Sequence, residues 1–288
     1  MFGSTIADVV IGLVGTFLAV SLIASALTEA LATLIGLRAS TLLGGIKKLL
    51  NDPGLNGLAS ALYNHALVNP FSSGTTASGA KPAAKPSYID AQHFAEALID
   101  GIQRTAGQAA TLDQAIDKIA DAQIKATLGA LYRRAAGDAN AFRDEVAHWF
   151  DSAMDRLSGT YKRWTKLITF LVALLAAGLL NADPVHLAQT LWQRPAVAAQ
   201  LGRLDFSKAD GAQPAAQAVQ LIGQIETAGP LLGWAGFESD PRRQGLGLAL
   251  MIAGWLLTAG AALFGAPFWF DILQRVVQLR GTGIRPPT

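Results

Sequence analysis

The chain has 288 residues, of which 51% are hydrophobic and only 15% charged, with a mean hydropathy of +0.32; ordinary soluble domains carry about 25% charged residues. Part of the chain is therefore expected to find its solvent in lipid rather than water. A net charge of +2 gives no footing for nucleic-acid binding, and the absence of Cys excludes disulfides and thiolate metal sites.

Three charge-free apolar stretches, at 9–28, 167–182 and 246–270, organise the chain. An α-helix rises about 1.5 Å per residue, so a hydrocarbon core of about 30 Å needs roughly 20 apolar residues. The expected fold class is an all-α integral membrane protein with three transmembrane helices. Residues 1–8 hold no Lys or Arg, unlike the basic start of a signal peptide, so the first stretch is read as a permanent crossing within 1–38. Asp8 precedes it and Arg38, Lys47 and Lys48 follow it, and basic flanks prefer the cytoplasm. The N-terminus is expected outside and the C-terminus inside.

A helical cytoplasmic region is expected over 39–165. Its amphipathic stretch at 41–50 ends at Asn51, Asp52, Pro53 and Gly54, and a short helix is expected at 58–68. Residues 69–86 are Pro-, Ser-, Thr- and Gly-rich and read as a flexible loop. Asp90 is the expected N-cap of a helix carrying Phe94, Leu98 and Ile102 at helical spacing, and further helices are expected over 112–136 and from Asp138 onwards. No Pro interrupts 139–182, so one helix of about 65 Å can run out of the aqueous phase into the second crossing, 166–182. Its apolar side, with Phe142, Val146, Trp149 and Leu157, requires a partner.

Asp183 and Pro184 restart a helix as N-cap and first helical residue. An external, periplasmic region is expected over 183–245, with short helices at 185–193 and 196–204. The polar residues of 211–236 argue against a fourth crossing. The third crossing occupies 246–267, and Gly265, Ala266 and Pro267 predict a bend before an amphipathic cytoplasmic tail, 268–288. With this topology the 23 Lys and Arg divide into fifteen and three on the two inner segments and five outside. Arg242 and Arg243 run against that bias, while Lys162, Arg163 and Lys166 support it.

The candidate sites are few. Glu29, near the inner end of the first crossing, reads first as a carboxylate reaching water or Arg38, and second as an ion-pathway residue repeated around an oligomeric pore. Asp144, His148, Asp151 and Asp155 share one face of the long helix and are the weak metal candidates. Successive helical turns, about 5.4 Å apart, place them poorly around one ion, and a solvated stripe is the simpler reading. Asp113, Asp117 and Asp121 form a second acidic ridge. Trp164, Lys166, Phe268, Trp269 and Phe270 are expected at the membrane interface. Gly44, Gly45, Gly247, Gly254 and Gly260 are read as helix-packing surfaces. No phosphate loop or nucleophile with an orienting base is present, no cofactor is expected, and an enzyme is the lesser expectation.

The stretch Trp149, Phe150, Asp151, Met154, Asp155, Arg156, Ser158, Gly159, Tyr161, Lys162 and Arg163 resembles a family of uncharacterised bacterial multipass membrane proteins. Asn181 to Asp183, Gly265 to Asp271 with Leu279, Arg280 and Gly281, and Pro86 to Ile89 share in that resemblance. It implies an inner-membrane location and no particular activity. The expected function is that of a non-enzymatic scaffold or assembly component, embedded in the lipid bilayer and associating with itself or another membrane protein. An oligomeric ion channel built on Glu29, or a metal-dependent membrane enzyme, are the alternatives.

Overall fold

A computed structural model describes residues 2–70, 85–107, 110–201, 214–228, 231–234 and 245–281. Among these every regular element is an α-helix: α1 (Phe2–Leu34), α2 (Leu37–Leu49), α3 (Leu58–Tyr63), α4 (Ala91–Ala106), α5 (Leu112–Asp117), α6 (Ala122–Arg134), α7 (Ala139–Leu179), α8 (Pro184–Gln193), α9 (Pro195–Leu201), α10 (Pro214–Ala228), α11 (Leu246–Ala262) and α12 (Ala266–Gly281). The expected loop at 69–86 and the pair Arg242 and Arg243 lie largely or wholly outside the described residues. The chain forms two compact units, one from residues 32–163 and one from 1–31 with 164–288.

The 32–163 unit is built like a water-soluble helical domain. Its core is a single cluster in which Tyr63, Phe94, Phe142 and Phe150 are the largest fully buried side chains, and the Phe94 and Phe150 rings stack at 4.1 Å. Short side-chain acceptors start its helices. Asp90 accepts from the Gln92 and His93 amides, Thr111 and Gln114 form a reciprocal capping box on α5, and Asp121 accepts from the Ile124 amide. The expected span 112–136 is thus divided at Asp121. The acidic ridge divides with it, because Asp121 is a cap while Asp117 pairs with Lys125 at 3.1 Å. Where α2 approaches α7, a Cβ on Gly45 would strike the Leu157 side chain, so Gly45 is a packing glycine. Gly44 and Gly260, expected to do the same, face open space.

Helix α3 starts where expected, at Leu58, but ends early at Tyr63, where turns through His65 replace it; its start is held from a distance. The Asp52 carboxylate accepts the amides of Asn56, Gly57 and Ala59 at 2.9, 2.8 and 3.2 Å. Burial pushes this carboxyl up, but the surrounding backbone donors outweigh burial and leave it below its ordinary value.

The second unit contains α1, the C-terminal part of α7, and α8 to α12. One helix among the described residues, Thr5–Leu34, is by itself long and apolar enough to cross a membrane. The other two expected crossings reach that length only together with a bent neighbour: α7 with α8, bent by 41°, and α11 with α12, bent by 95°. Counting each bent pair as one span raises the number to three. Helices α8, α9 and α10 share buried clusters with the apolar helices of this unit. Leu187, Leu191, Ala198 and Ile225 share a cluster with Val20, Ala173, Ala177 and Ala259, while Ala218 and Leu221 join α1 residues Ile11, Val14 and Leu18.

Replacing Asp52 by Ala removes the acceptor for three amides and is expected to cost about 1 kcal/mol, as loss of a helix cap does. The folded pKa lies below the unfolded one, about 3.9, so this contribution is complete above that pH and lost as pH falls through the folded value. Thermal unfolding of the two proteins at pH 7 and at pH 3 checks this: the gap in Tm narrows at the lower pH.

Candidate functional site

Two places gather polar groups beyond what helix formation requires. The first is the break between α7 and α8, at Asn181, Ala182 and Asp183. Helix α7 ends with Asn181 in the left-handed region (φ 47°), the Asn181 amide donating to Gly178 and the Ala182 amide reaching back to Ala177 at 2.8 Å. The same turn, with Asn51 or Ala136 at the left-handed position, ends α2 and α6.

Here its freed carbonyls are met one by one. The Trp234 indole N–H donates to the Gly178 and Leu179 carbonyls, each at 3.1 Å, and the Gly233 amide donates to Leu180. Thr258, fully buried on α11, donates to the Ala182 carbonyl at 2.7 Å. The Asn181 side chain bridges two segments, its Nδ2 donating to the Gly233 carbonyl at 3.1 Å and its Oδ1 accepting from the Trp255 indole at 3.3 Å. Asp183, 5% exposed, then caps α8 through the Val185 and His186 amides. Gly254 on α11 lies against that carboxylate so closely that any Cβ there would overlap it. A buried polar group left unpaired costs several kcal/mol, so the arrangement lets the helix break without orphaned backbone groups.

The second place is a cleft of about 440 Å³ within the 32–163 unit. Leu42, Ile89, Phe150 and Leu157 form its apolar walls, and Arg38, Asp151, Tyr161 and Lys162 are among the polar residues around it. Two stretches singled out in the sequence, at 149–163 and 86–89, meet here. Arg38, Lys162 and Asp151 are exposed and engage in no ion pair or side-chain hydrogen bond among the described residues. A neighbouring cavity of about 380 Å³ has its rim groups satisfied internally: Lys118 donates to the Ala106 carbonyl at 2.8 Å and Asn51 to Asp121 at 2.6 Å.

The residues picked from sequence fall as follows. Glu29 is exposed and takes part in no ion pair among the described residues. Asp144, His148, Asp151 and Asp155 are all exposed along α7; Asp144 accepts from Gln92 and lies 3.7 Å from Arg143. Among the described residues no group of three or more His, Asp or Glu could hold a metal ion. Trp164 and Phe268 are exposed, and Lys166 with them. Trp269 is only half-buried: its indole donates to the Ala261 carbonyl at 2.8 Å, and its ring lies 4.8 Å from Phe17, fastening α12 across the end of α11. Phe270 packs with it against the α1 cluster.

One cluster was not singled out from sequence. His65 donates through Nε2 to Asp100 at 2.9 Å and accepts the Leu67 amide at Nδ1, while Arg104 shares the same carboxylate. The Arg104 guanidinium, and after it His65, hold the Asp100 carboxyl below its ordinary value. Both imidazole nitrogens are engaged, which makes the cluster a tie between α4 and the turn after α3. The 35-residue separation of His65 and Asp100 left no local pattern to find it by.

Comparison with protein-family models, with curated proteins and with solved structures returned no match.

The break after α7 generates a pair of expectations. Asn181→Gly keeps the left-handed backbone but leaves the Gly233 carbonyl and Trp255 indole without their partner, and is expected to cost about 1–3 kcal/mol. Gly254→Ala forces the Asp183 carboxylate aside at a similar cost of about 1–3 kcal/mol. Thermal unfolding of the full chain in mild detergent measures both, and an unchanged Tm for Asn181→Gly means that the side-chain bonds do not hold the bend.

Proposed function

We propose that this chain is a non-enzymatic integral protein of a bacterial inner membrane, whose membrane helices anchor the 32–163 unit at the cytoplasmic face for assembly with a second copy or another membrane protein. The observation that carries the reading is a reversal of pattern between the two units. In the 32–163 unit the large apolar side chains are inside, and of the large hydrophobics exposed among the described residues only Leu34, Ile35, Leu67 and Tyr88 belong to it.

In the other unit small residues share the inside with aliphatic ones: Ala19, Ala24, Ala173, Ala177, Ala259, Ala262 and Gly254 are buried beside Ile11, Leu18, Leu22, Leu187 and Leu191. The outside is large, with Leu167, Leu171, Leu175 and Leu179 along α7 and Leu250, Ile252, Leu256 and Leu257 along α11 all exposed. Water makes such a surface unfavourable by about 25 cal/mol per Å² of apolar area. Lipid removes that cost, and small residues between helices let backbones approach where no hydrophobic force drives them together. Exposed faces this long accommodate lipid and protein neighbours alike, which supports the assembly role.

The three-crossing topology follows if α7 with α8 and α11 with α12 each serve as one bent span. Arg38 and Lys162, at the ends of the apolar stretches, favour a cytoplasmic side for residues 32–163 by the positive-inside rule. The expectation is that alkaline carbonate leaves the protein in the membrane pellet, and that a Cys introduced at Ser72, in an otherwise Cys-free chain, resists an impermeant maleimide in intact cells but reacts after lysis. Release by carbonate overturns the membrane reading; labelling in intact cells overturns the sidedness.

A further inference from the structure

The Arg38 and Lys162 cleft has features that an assembly role does not use. Its walls are apolar side chains from α2, α7 and the segment before α4, and its volume of about 440 Å³ is that of a ligand pocket, about 300–1,000 Å³. Both cations lack a protein partner among the described residues. Arg38 stands four residues after the end of α1, and Lys162 five residues before the charge-free stretch 167–182 on the same helix. Tyr161 adds a hydroxyl with no recorded hydrogen bond, and Ser158 another one turn earlier. Asp151 lies eleven residues from Lys162 along α7, about 16 Å at the helical rise, so the one carboxylate of the cleft is remote from that cation.

We propose that this cleft binds the headgroup of an anionic phospholipid, Arg38 and Lys162 taking the phosphate while the apolar part of the headgroup and the glycerol lie against Leu42 and Leu157 and the acyl chains leave along α7 toward its charge-free stretch. Charge complementarity and the adjacency of both cations to the apolar stretches select a lipid over a soluble anion: a guanidinium and an ammonium offer donors and charge to a phosphodiester, and an apolar wall gives a soluble phosphate nothing further. Cationic side chains beside a membrane span are also where anionic leaflet lipids concentrate. The inference rests on the membrane reading above.

The test uses the full chain, delipidated in a non-ionic detergent and titrated with dioctanoyl phosphatidylglycerol, dioctanoyl phosphatidylcholine or inorganic phosphate, with Tm as the readout. Phosphatidylglycerol is expected to raise Tm at concentrations about tenfold below those at which phosphatidylcholine acts. The double variant Arg38→Gln, Lys162→Gln loses that preference, and Lys166→Gln, which alters a cation outside the cleft, keeps it. Both cleft cations are exposed and unpaired, so the variant is expected to fold; the wild-type lipid preference is in any case a test without it. Equal responses to the two lipids, retention of the preference in the double variant, its loss in Lys166→Gln, or an equal shift from inorganic phosphate each overturn the proposal. Carbonate extraction of the same proteins separates the two failures: retention in the membrane with no lipid preference sinks the cleft alone, whereas release of the wild type sinks the membrane reading beneath it.

Discussion

A helix that stops frees its last carbonyls, and the break after α7 is organised around supplying donors to them. Two distant parts of the chain come to it: Gly233 and Trp234 from one segment, and Trp255 and Thr258 from α11. Trp255 also packs against the apolar cluster of this unit and meets the Trp234 ring edge-on at 5.6 Å. Together these residues let the chain turn through 41° and continue as α8 without leaving peptide groups unpaired. Gly254 belongs to the same device, since the close approach that brings Thr258 to Ala182 leaves no room beside Asp183 for a side chain.

The second bend is solved by different means. Between α11 and α12 the chain turns by 95° through Gly265 (φ 85°), and the Trp269 indole takes the carbonyl of Ala261, freed near the end of α11. Aromatic rings do the remaining work: Phe264, Phe268 and Trp269 lie within 4.9–6.3 Å of one another, and Leu273 is buried with Ile11, Val14 and Leu18. The residues expected to float in a lipid interface are thus partly spent on holding two helices at a corner, and only Phe268 among the three is exposed.

The two units follow opposite packing rules within one polypeptide. Stacked Phe94 and Phe150 and the edge-on pair Tyr132 and Phe142 give residues 32–163 a core of the kind that water drives together. In the other unit alanines such as Ala173, Ala177 and Ala259 are buried between aliphatic residues such as Val20, Leu187 and Leu191, and large leucines line the outside of α7 and α11. Such a division makes the short stretch around Arg38 and Lys162 chemically distinctive, because it is where the sequence passes from one rule to the other.

Periodicity, composition and capping residues were legible without coordinates. The long helix from Asp138, the Asp90 and Asp183 caps and the bend at Gly265 each depend on residues within a turn or two of one another, so their physics is local and the sequence carries it. The lengths of α3 and of the second and third apolar helices were not legible in this way. Asp52 holds the start of α3 across a five-residue gap, and at the two bends the sequence marks the break but not the angle at which each apolar helix turns. The ties from Asn181 to Gly233 and Trp255 and from His65 to Asp100 join positions 35 to 74 residues apart, and Arg38 and Lys162 line one cleft from still more distant positions. Sequence by itself determined that the chain is helical and divided between an oily and a watery part, because that follows from which side chains water tolerates. Which donors meet the broken helix, and which cations are left without partners, only the tertiary structure decided, because a hydrogen bond or a vacancy beside a charge exists only once remote segments are brought together.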